Sequence, residues 1–572
     1  MKKVPILLFF LTANFLFLCA QPKYYEKSIR WQYLHNGWNI FEESNNTYLI
    51  TGSNRDTFSQ WNAYSCLINS QGEIDSVFQH NLPTGFGSTC NNGIKVEYGY
   101  VLSGVVNHNE NPISAQCYVV QIAPDGSLID TVWVGMQYSQ SNCITRTPDG
   151  GYLLGGYSRQ PTEFSRRPYL VRLNADMEVV WDSTYIIPTV GFGLGYFTEL
   201  IADTTNNSYY ALSIASYQPY DLVWLHLDDT GTILDHRVFP STPYDWPTNT
   251  ASISIWGEAM IRAKDGDFVL SISEIQLDDP IGCYLLKLSP DGDTVRWKKK
   301  IDTIGYISKI HQLADSSFIL GGSVSALQPD DISLQGAVAH VSKDGDVLWK
   351  RIYGGTENDY IYDFTPTSDG GYFCTGRIES NLPNGGANVY LLKTNCMGLL
   401  TEPQAAFSAT MDTAALTASF QNLSEFVYPD SIDGGHFIWD FGDGAVSSEI
   451  SPTHTYAQGG NYTVTLTALV CSDTSVFVQE VSTWAVGLPQ MGMEGFAVYP
   501  NPAQDHLVVE NHSLEKSATF VLYDVLGRQV LSFTPNNQSV VPIEHLPSGV
   551  YLYQFINPQK NVLQQGKVSV FR

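Results

Sequence analysis

As a string of apolar and polar positions, the chain repeats itself. The stretch Pro148 to Tyr185 shows the unit most clearly. An Asp-Gly-Gly turn (Asp149 to Gly151) launches the apolar run YLLGGY, and a polar loop follows. A second run, YLVRLN, leads through a short turn into EVVWDSTY. With CITRT (Cys143 to Thr147) ahead of the first turn, these segments predict four strands of one antiparallel meander, because short apolar runs bounded by turn residues are strand signals. The pattern recurs seven times between Asn45 and Gly398. Counted from the aromatic after the first turn, it falls at Tyr48, Tyr100, Tyr152, Tyr210, Phe268, Phe318 and Tyr372, spaced by 52, 52, 58, 58, 50 and 54 residues. Asp-Gly at the turns supplies the positive φ that tight hairpins need. The second turn recurs as PDGS from Pro124, DTGT from Asp229, PDGD from Pro290 and KDGD from Lys343. In three units a tryptophan follows it: Trp181, Trp297 and Trp349.

Four strands per unit at a period near 50 residues predict the blades of a β-propeller. A solenoid is the rival arrangement, but it needs no closure, and this chain carries a closing element. SIRWQYLHNG (Ser28 to Gly37) matches VLWKRIYGG (Val347 to Gly355) and sets Trp31 opposite Trp349. The seventh unit stops where its last strand would begin. The N-terminal segment is therefore expected to pair beside Leu391 and seal the ring, which removes exposed strand edges. The expectation is an all-β chain whose residues 21–400 form a seven-bladed β-propeller closed by the N-terminal strand.

In such a blade the first and third turns lie at one end; the loop after the second strand and the crossover to the next blade lie at the other. The first set is short and glycine-bearing, the second long and irregular. Variable loops on a rigid scaffold are where binding usually resides. Phe86, Tyr138, Phe192, Tyr196, Tyr244, Trp246, Tyr306, Tyr360 and Trp38 lie in or beside the crossovers. Plugging the axis and packing between blades is the commoner use of such rings. The expected ligand contacts are Tyr244, Trp246, Phe192, Tyr138 and Phe86. Tyr244 and Trp246 stand foremost, flanked by three prolines in the longest crossover.

At the start of the chain, Lys2 and Lys3 precede an apolar run from Ile6 to Leu18 that is too short to span a membrane. Met1 to Ala20 is expected to be a signal peptide cut before Gln21; lipidation of Cys19 is the minor alternative. No second stretch is long enough to cross a bilayer. The formal net charge is −26. Phosphate backbones are repelled by such a surface, so nucleic acid is excluded as a partner. The run Lys298 to Lys300 reads as the solvated end of a strand. Nine cysteines are scattered without any CxxC pair, so they are expected to be small buried hydrophobes, and no bridge is assigned.

No HExxH, GxSxG or Walker-type loop is present, and no two histidines stand at ligand spacing. SPDGDTVRW from Ser289 and SKDGDVLW from Ser342 approach the Asp-box of sialidases, but the glycine is displaced in both. They read as hairpin turns. No catalytic residue, metal ligand or cofactor is expected, although isolated acids on separate blades can form a glycosidase pair that no local motif reveals.

After Leu399 the pattern changes. FIWDFGDG (Phe437 to Gly444) and HTYAQGGNYTVTLTALV (His454 to Val470) are followed, past a linker, by VYPNPAQDHLVVE, FVLYDVLGRQVL, LPSGVYLYQF and the ending GKVSVFR. Tyr462, Val464, Leu466 and Ala468 alternate with threonines, the mark of a strand with one buried face. Trp439 is expected in the core, with Asp440 and Asp443 capping a glycine-bearing turn rather than binding calcium. Residues 403–485 resemble the PKD domain, which implies an immunoglobulin-like sandwich used as a spacer or weak binding module. Residues 495–572 resemble the type A C-terminal sorting domain of the type IX secretion system. That resemblance implies a second small sandwich recognised by the translocon, and a protein secreted from, or held on the outer-membrane surface of, a Gram-negative bacterium. The functional expectation is a non-enzymatic binding or adhesion protein with the propeller as recognition head for an extracellular glycan or protein. The alternative is a secreted hydrolase acting on polysaccharide or peptide.

Overall fold

The computed structural model describes residues 23–29, 34–43, 46–55, 61–80, 87–107, 115–159, 166–187, 195–215, 221–239, 254–256, 259–276, 279–301, 304–325, 333–355, 357–379, 387–428, 435–483, 495–513 and 515–571. Strands and turns make up this set, with no helix among the described residues. Residues 1–20, assigned above to a signal peptide, lie outside it.

The repeats form antiparallel sheets of four strands in sequence order. In the third sheet Ser139–Arg146, Tyr152–Arg159, Arg166–Leu173 and Val179–Thr184 pair consecutively, as the apolar runs predict. Six such sheets begin at Leu34, Ser88, Ser139, Gly195, Ser254 and Tyr306; in the fifth, the first strand is split into Ser254–Trp256 and Met260–Arg262. The seventh sheet takes three strands from the last repeat, Asp359–Pro366, Tyr372–Glu379 and Ala387–Thr394. Its fourth is the N-terminal strand Tyr25–Ile29, with Lys27 opposite Leu391.

Two details of the sequence-based register change. Tyr25 faces Lys393 as Trp349 faces His340, so Tyr25 occupies the place assigned to Trp31, which lies outside the described residues. In the fourth sheet Tyr209 pairs Leu227 as Tyr152 pairs Leu173. The repeat there is counted from Tyr209, and Tyr210 is its neighbour. Two adjacent tyrosines offered no sequence basis for choosing between them.

Packing follows the alternation. The aromatics Tyr48, Tyr100, Tyr152, Tyr209, Phe268, Phe318 and Tyr372 are all buried. Apolar clusters draw side chains from neighbouring sheets: Leu49 and Ala63 meet Tyr100, Leu102 and Tyr118, and Val101 and Val119 meet Leu154 and Tyr169. Side chains of the seventh sheet, Phe373, Val389 and Leu391, pack with Ile40, Tyr48, Ile50 and Tyr64 of the first. Cys66, Cys90, Cys117, Cys143, Cys283 and Cys374 are buried free thiols in these layers. Burial raises Cys66 and Cys90 to about 12, which keeps them as inert thiols.

Acidic residues in the first turns are held by bases on the third strands. Arg172 reaches Asp149 at 2.5 Å, Lys287 reaches Asp265 at 2.5 Å and Lys393 reaches Asp369 at 3.2 Å. In the sixth sheet a chain runs from His340 to the Ser317 hydroxyl (2.7 Å), which donates to Asp315 (2.6 Å). The Asp149 carboxyl lies below its usual range chiefly through the hydrogen bond from Thr147.

Disulfide pairing, which the sequence left unassigned, is shown at one point. Cys396 is bonded to Cys471, with Cα atoms 5.9 Å apart. Cys471 sits in the turn between Asn461–Val470 and Asp473–Ser482 with φ at +55°. Beside the bridge, Asp473 accepts hydrogen bonds from Lys23 (2.5 Å) and from the Tyr24 hydroxyl (2.6 Å), and the Ser472 hydroxyl donates to the Asp369 carbonyl. The two cysteines stand 75 residues apart, a separation that sequence spacing does not single out.

The chain divides into two compact units. The first holds the repeats with Ser424–Phe437 and Thr467–Ser475, the second Ala406–Leu423, Ile438–Leu466 and Val476–Arg572. In the second unit Trp439 is fully buried. Its ring lies 5.1 Å from Phe407 and 5.4 Å from Phe420, and its indole nitrogen donates to the Glu449 carbonyl at 2.9 Å. Asp440 and Asp443 cap the turn: they accept from the Gly442 and Ala445 amides, and Asp443 also meets His454 at 2.8 Å. Further on, sheets of three and four strands pack around Leu507, Val509, Phe520, Leu522 and Phe555.

Candidate ligand-binding cavity

The first strands of the sheets share an irregularity. Register slips by one residue between Gly37 and Asn39, Cys90 and Asn92, Ser141 and Cys143, Phe197 and Glu199, Ile307 and Lys309, and Ile361 and Asp363. Each is a β-bulge, which re-aims the extra side chain and its neighbour. Opposite five of the six the partner strand carries a glycine, and in the fourth sheet it carries Ser213. A Cβ on Gly156 would stand 2.0 Å from the Gln140 carbonyl, and one on Gly376 1.8 Å from the Tyr360 carbonyl. Only glycine permits backbones to approach so closely. The same crowding occurs at Gly52, Gly104 and Gly322.

The bulged residues line one cavity of about 540 Å³. Trp38, Asn91, Asn142, Thr198, Ser308 and Tyr362, the extra residues of six sheets, all face it, as do Asn39, Asn92, Glu199, Lys309 and Asp363. Two aromatic groups flank the space. On one side Trp38 stacks on Tyr362 at 4.4 Å with planes 19° apart, and Tyr360 lies 5.9 Å from Tyr362. On the other, Tyr157 and Tyr196 lie 6.4 Å apart with the Arg166 guanidinium 4.6 Å above Tyr157. Tyr157 also donates to Gln140 at 2.8 Å.

Three charges complete the wall. Asp363 accepts from the Ile40 amide at 3.0 Å through Oδ2, and its Oδ1 stands 3.8 Å from Lys309 Nζ. Glu199 accepts from the Leu200 amide at 3.1 Å. Burial raises both carboxyls above their ordinary range, with Lys309 opposing. Asp363 raises Lys309 in turn. No group of three or more metal-ligating side chains occurs among the described residues.

Of the ligand contacts expected from the sequence, Tyr244, Trp246, Phe192 and Phe86 lie outside the described residues. Tyr138 is half-buried at the crossover into the third sheet, with φ at +66° and its carbonyl accepting from the Arg159 amide at 2.8 Å. Of the other crossover aromatics, Trp38 and Tyr196 face the cavity, and so does Tyr362, which the sequence did not single out. Glu199, Lys309 and Asp363 went unrecognised, because each is a single charge on a different repeat. For Lys309 and Asp363 the glycine of FILGG and GYFCTG was the available signal, since it marks the bulge opposite; the fourth repeat carries Ser213 there, so Glu199 had none.

Comparison with known proteins defines the modules first. Residues 401–482 match the PKD domain, and residues 497–568 match the secretion system C-terminal sorting domain. The PKD1 domain of Vibrio anguillarum Epp is 30% identical over 95% of its own length and 15% of this chain, with a TM-score of 0.13. The PKD1 domain of the Vibrio cholerae metalloprotease PrtV is 32% identical over 96% of its length and 14% of this chain, also at 0.13. The periplasmic gluconolactonase PpgL of Pseudomonas aeruginosa is 12% identical, covering 61% of this chain and 97% of that one, at 0.38. No curated protein matches the chain.

Over residues 401–482 the chain therefore belongs to the PKD-domain family. Its sorting domain makes it a secreted or outer-membrane-surface protein of a Gram-negative bacterium, one that engages the secretion system. No helix among the described residues is long and apolar enough to cross a membrane.

Proposed function

We propose that the repeats form a seven-bladed β-propeller closed by Tyr25–Ile29, and that this propeller is the recognition head of a non-enzymatic surface or secreted binding protein. The PKD domain then acts as its spacer, and domain limits of 21–400, 403–485 and 495–572 belong to the same reading. The pairing of Tyr25–Ile29 with Ala387–Thr394 and the shared core of the seventh and first sheets support closure. One observation carries the binding role: equivalent bulged residues of six sheets converge on one cavity with aromatic groups on two sides. In this reading Tyr138, Tyr244, Trp246, Phe192 and Phe86, on the crossovers, remain expected ligand contacts.

A glycan and peptide array probed with the mature chain tests this. Replacing Trp38 and Tyr362 together by alanine is expected to weaken capture at least about tenfold, with the melting curve nearly in place because both side chains are only half-buried. Capture unaffected by the double change would remove the cavity from the account. The second reading, a secreted hydrolase acting on polysaccharide or peptide, is favoured by Glu199 and Asp363. Their raised proton affinity is what a general acid requires. Product release from a bound glycan or peptide would select it.

A further inference from the structure

The charged part of the cavity has an unfilled valence. Asp363 Oδ1 is buried and accepts no hydrogen bond, although its side chain is only 10% exposed and lines the cavity. Its nearest base, Lys309, stands 3.8 Å away, beyond hydrogen-bond reach. A buried acceptor left in this state is costly unless something else supplies the proton.

The chemistry of the gap restricts that something. An ammonium placed there would meet Lys309, and a carboxylate would meet Asp363 and Glu199. A hydroxyl carries one donor and two acceptor positions, so it can donate to Asp363 while accepting from Lys309. An oxygen beside this pair, set off the line that joins atoms 3.8 Å apart, can stand within hydrogen-bond distance of both. Elsewhere in the cavity lining, Asn91, Asn92 and Asn142 carry amides, and the Trp38–Tyr362 stack offers an apolar face. Hydroxyls together with apolar ring faces describe one ligand class. We propose that the cavity binds a neutral oligosaccharide, one hydroxyl of which bridges Asp363 and Lys309. This rests on the cavity being the binding site.

The test titrates the full mature chain with cellohexaose, maltohexaose and mannohexaose, and in parallel with a trilysine peptide and trigalacturonate. At least one neutral hexamer is expected to bind. Asp363→Asn and Lys309→Met should each weaken it by about ten- to hundredfold. Because the ligand is uncharged, raising the salt severalfold should leave the affinity unchanged. Asp363 also accepts from the Ile40 amide, so Lys309→Met keeps the test sound if Asp363→Asn folds poorly. Binding of a charged probe in preference to all three hexamers overturns the proposal, as does binding of a hexamer that both variants retain in full. In either case, loss of binding in the Trp38/Tyr362 double variant leaves the cavity reading standing. Failure of all three hexamers to bind overturns the proposal as well.

Discussion

The PKD sandwich and the repeated sheets solve the same burial problem in opposite ways. The sandwich gathers its core on Trp439, whose ring meets Phe407, Phe420 and Phe441. The repeats spread theirs over equivalent layers, each anchored by an aromatic such as Tyr100, Phe268 or Tyr372. A distributed core leaves the first strand of six sheets free to carry Asn, Thr, Glu, Lys or Asp at the bulge. The sandwich has no comparable freedom, because its alternating face is committed to Val464, Leu466, Ala468 and Val470, all fully buried. Centralised packing gives a spacer, and distributed packing leaves positions for a site.

The sharpest way to break this comparison is Trp439→Ala. It should cost about 3–5 kcal/mol, read by denaturant unfolding, with the transition of the repeats unmoved. A loss near zero would show that the tryptophan is not the centre of its domain. Next in size is removal of the Cys396–Cys471 bridge. Closing a loop of 75 residues corresponds to about 4 kcal/mol in the chain-entropy picture, so Cys396→Ala with Cys471→Ala should unfold at clearly lower denaturant. An unchanged midpoint contradicts this.

Gly376→Ala probes the bulge itself. Its new methyl would press on the Tyr360 carbonyl, and the expected cost is about 1–3 kcal/mol, accompanied by weaker ligand capture through displaced Tyr362 and Asp363. Stability lost without loss of capture would separate the bulge from the site.

The smallest expected effect concerns acid. Asp149 and Asp369 are held below the ordinary carboxylate range: Asp149 by Thr147, then Arg172; Asp369 by Thr367 and Lys393 against its burial. A depressed folded-state carboxyl contributes stability above the unfolded value of about 4, and this is lost as pH falls through the folded value. Asp149→Asn should therefore flatten the fall of melting temperature below about pH 4, while changing the unfolding free energy by about 1 kcal/mol or less at neutral pH. An acid limb as steep as that of the parent chain would exclude a role for this turn.

Much of this was legible from pattern alone. Alternation and turn chemistry gave the strand order of the third sheet, and the WDFGDG run placed Trp439 in a core. The N-terminal strand was expected from an internal match, yet its register was set on Trp31 when the paired residues are Tyr25–Ile29. A single tryptophan was a stronger visual cue than the alternation around Tyr25. The disulfide was hidden because its partners belong to different pattern types. The cavity was hidden for a related reason. Glu199, Lys309 and Asp363 come from three repeats separated by long intervals, and only the bulges bring them to one wall. Loops attract attention as variable parts, whereas here the variation that lines the cavity lies on the first strands.

The most direct measurement is a map of ligand contact. A photoactivatable derivative of a captured oligosaccharide, cross-linked to the mature chain and located by peptide mass spectrometry, should mark peptides carrying Trp38, Thr198, Lys309 and Tyr362. Labelling confined to the sandwich or the sorting domain, with those four peptides unmarked, would contradict the account.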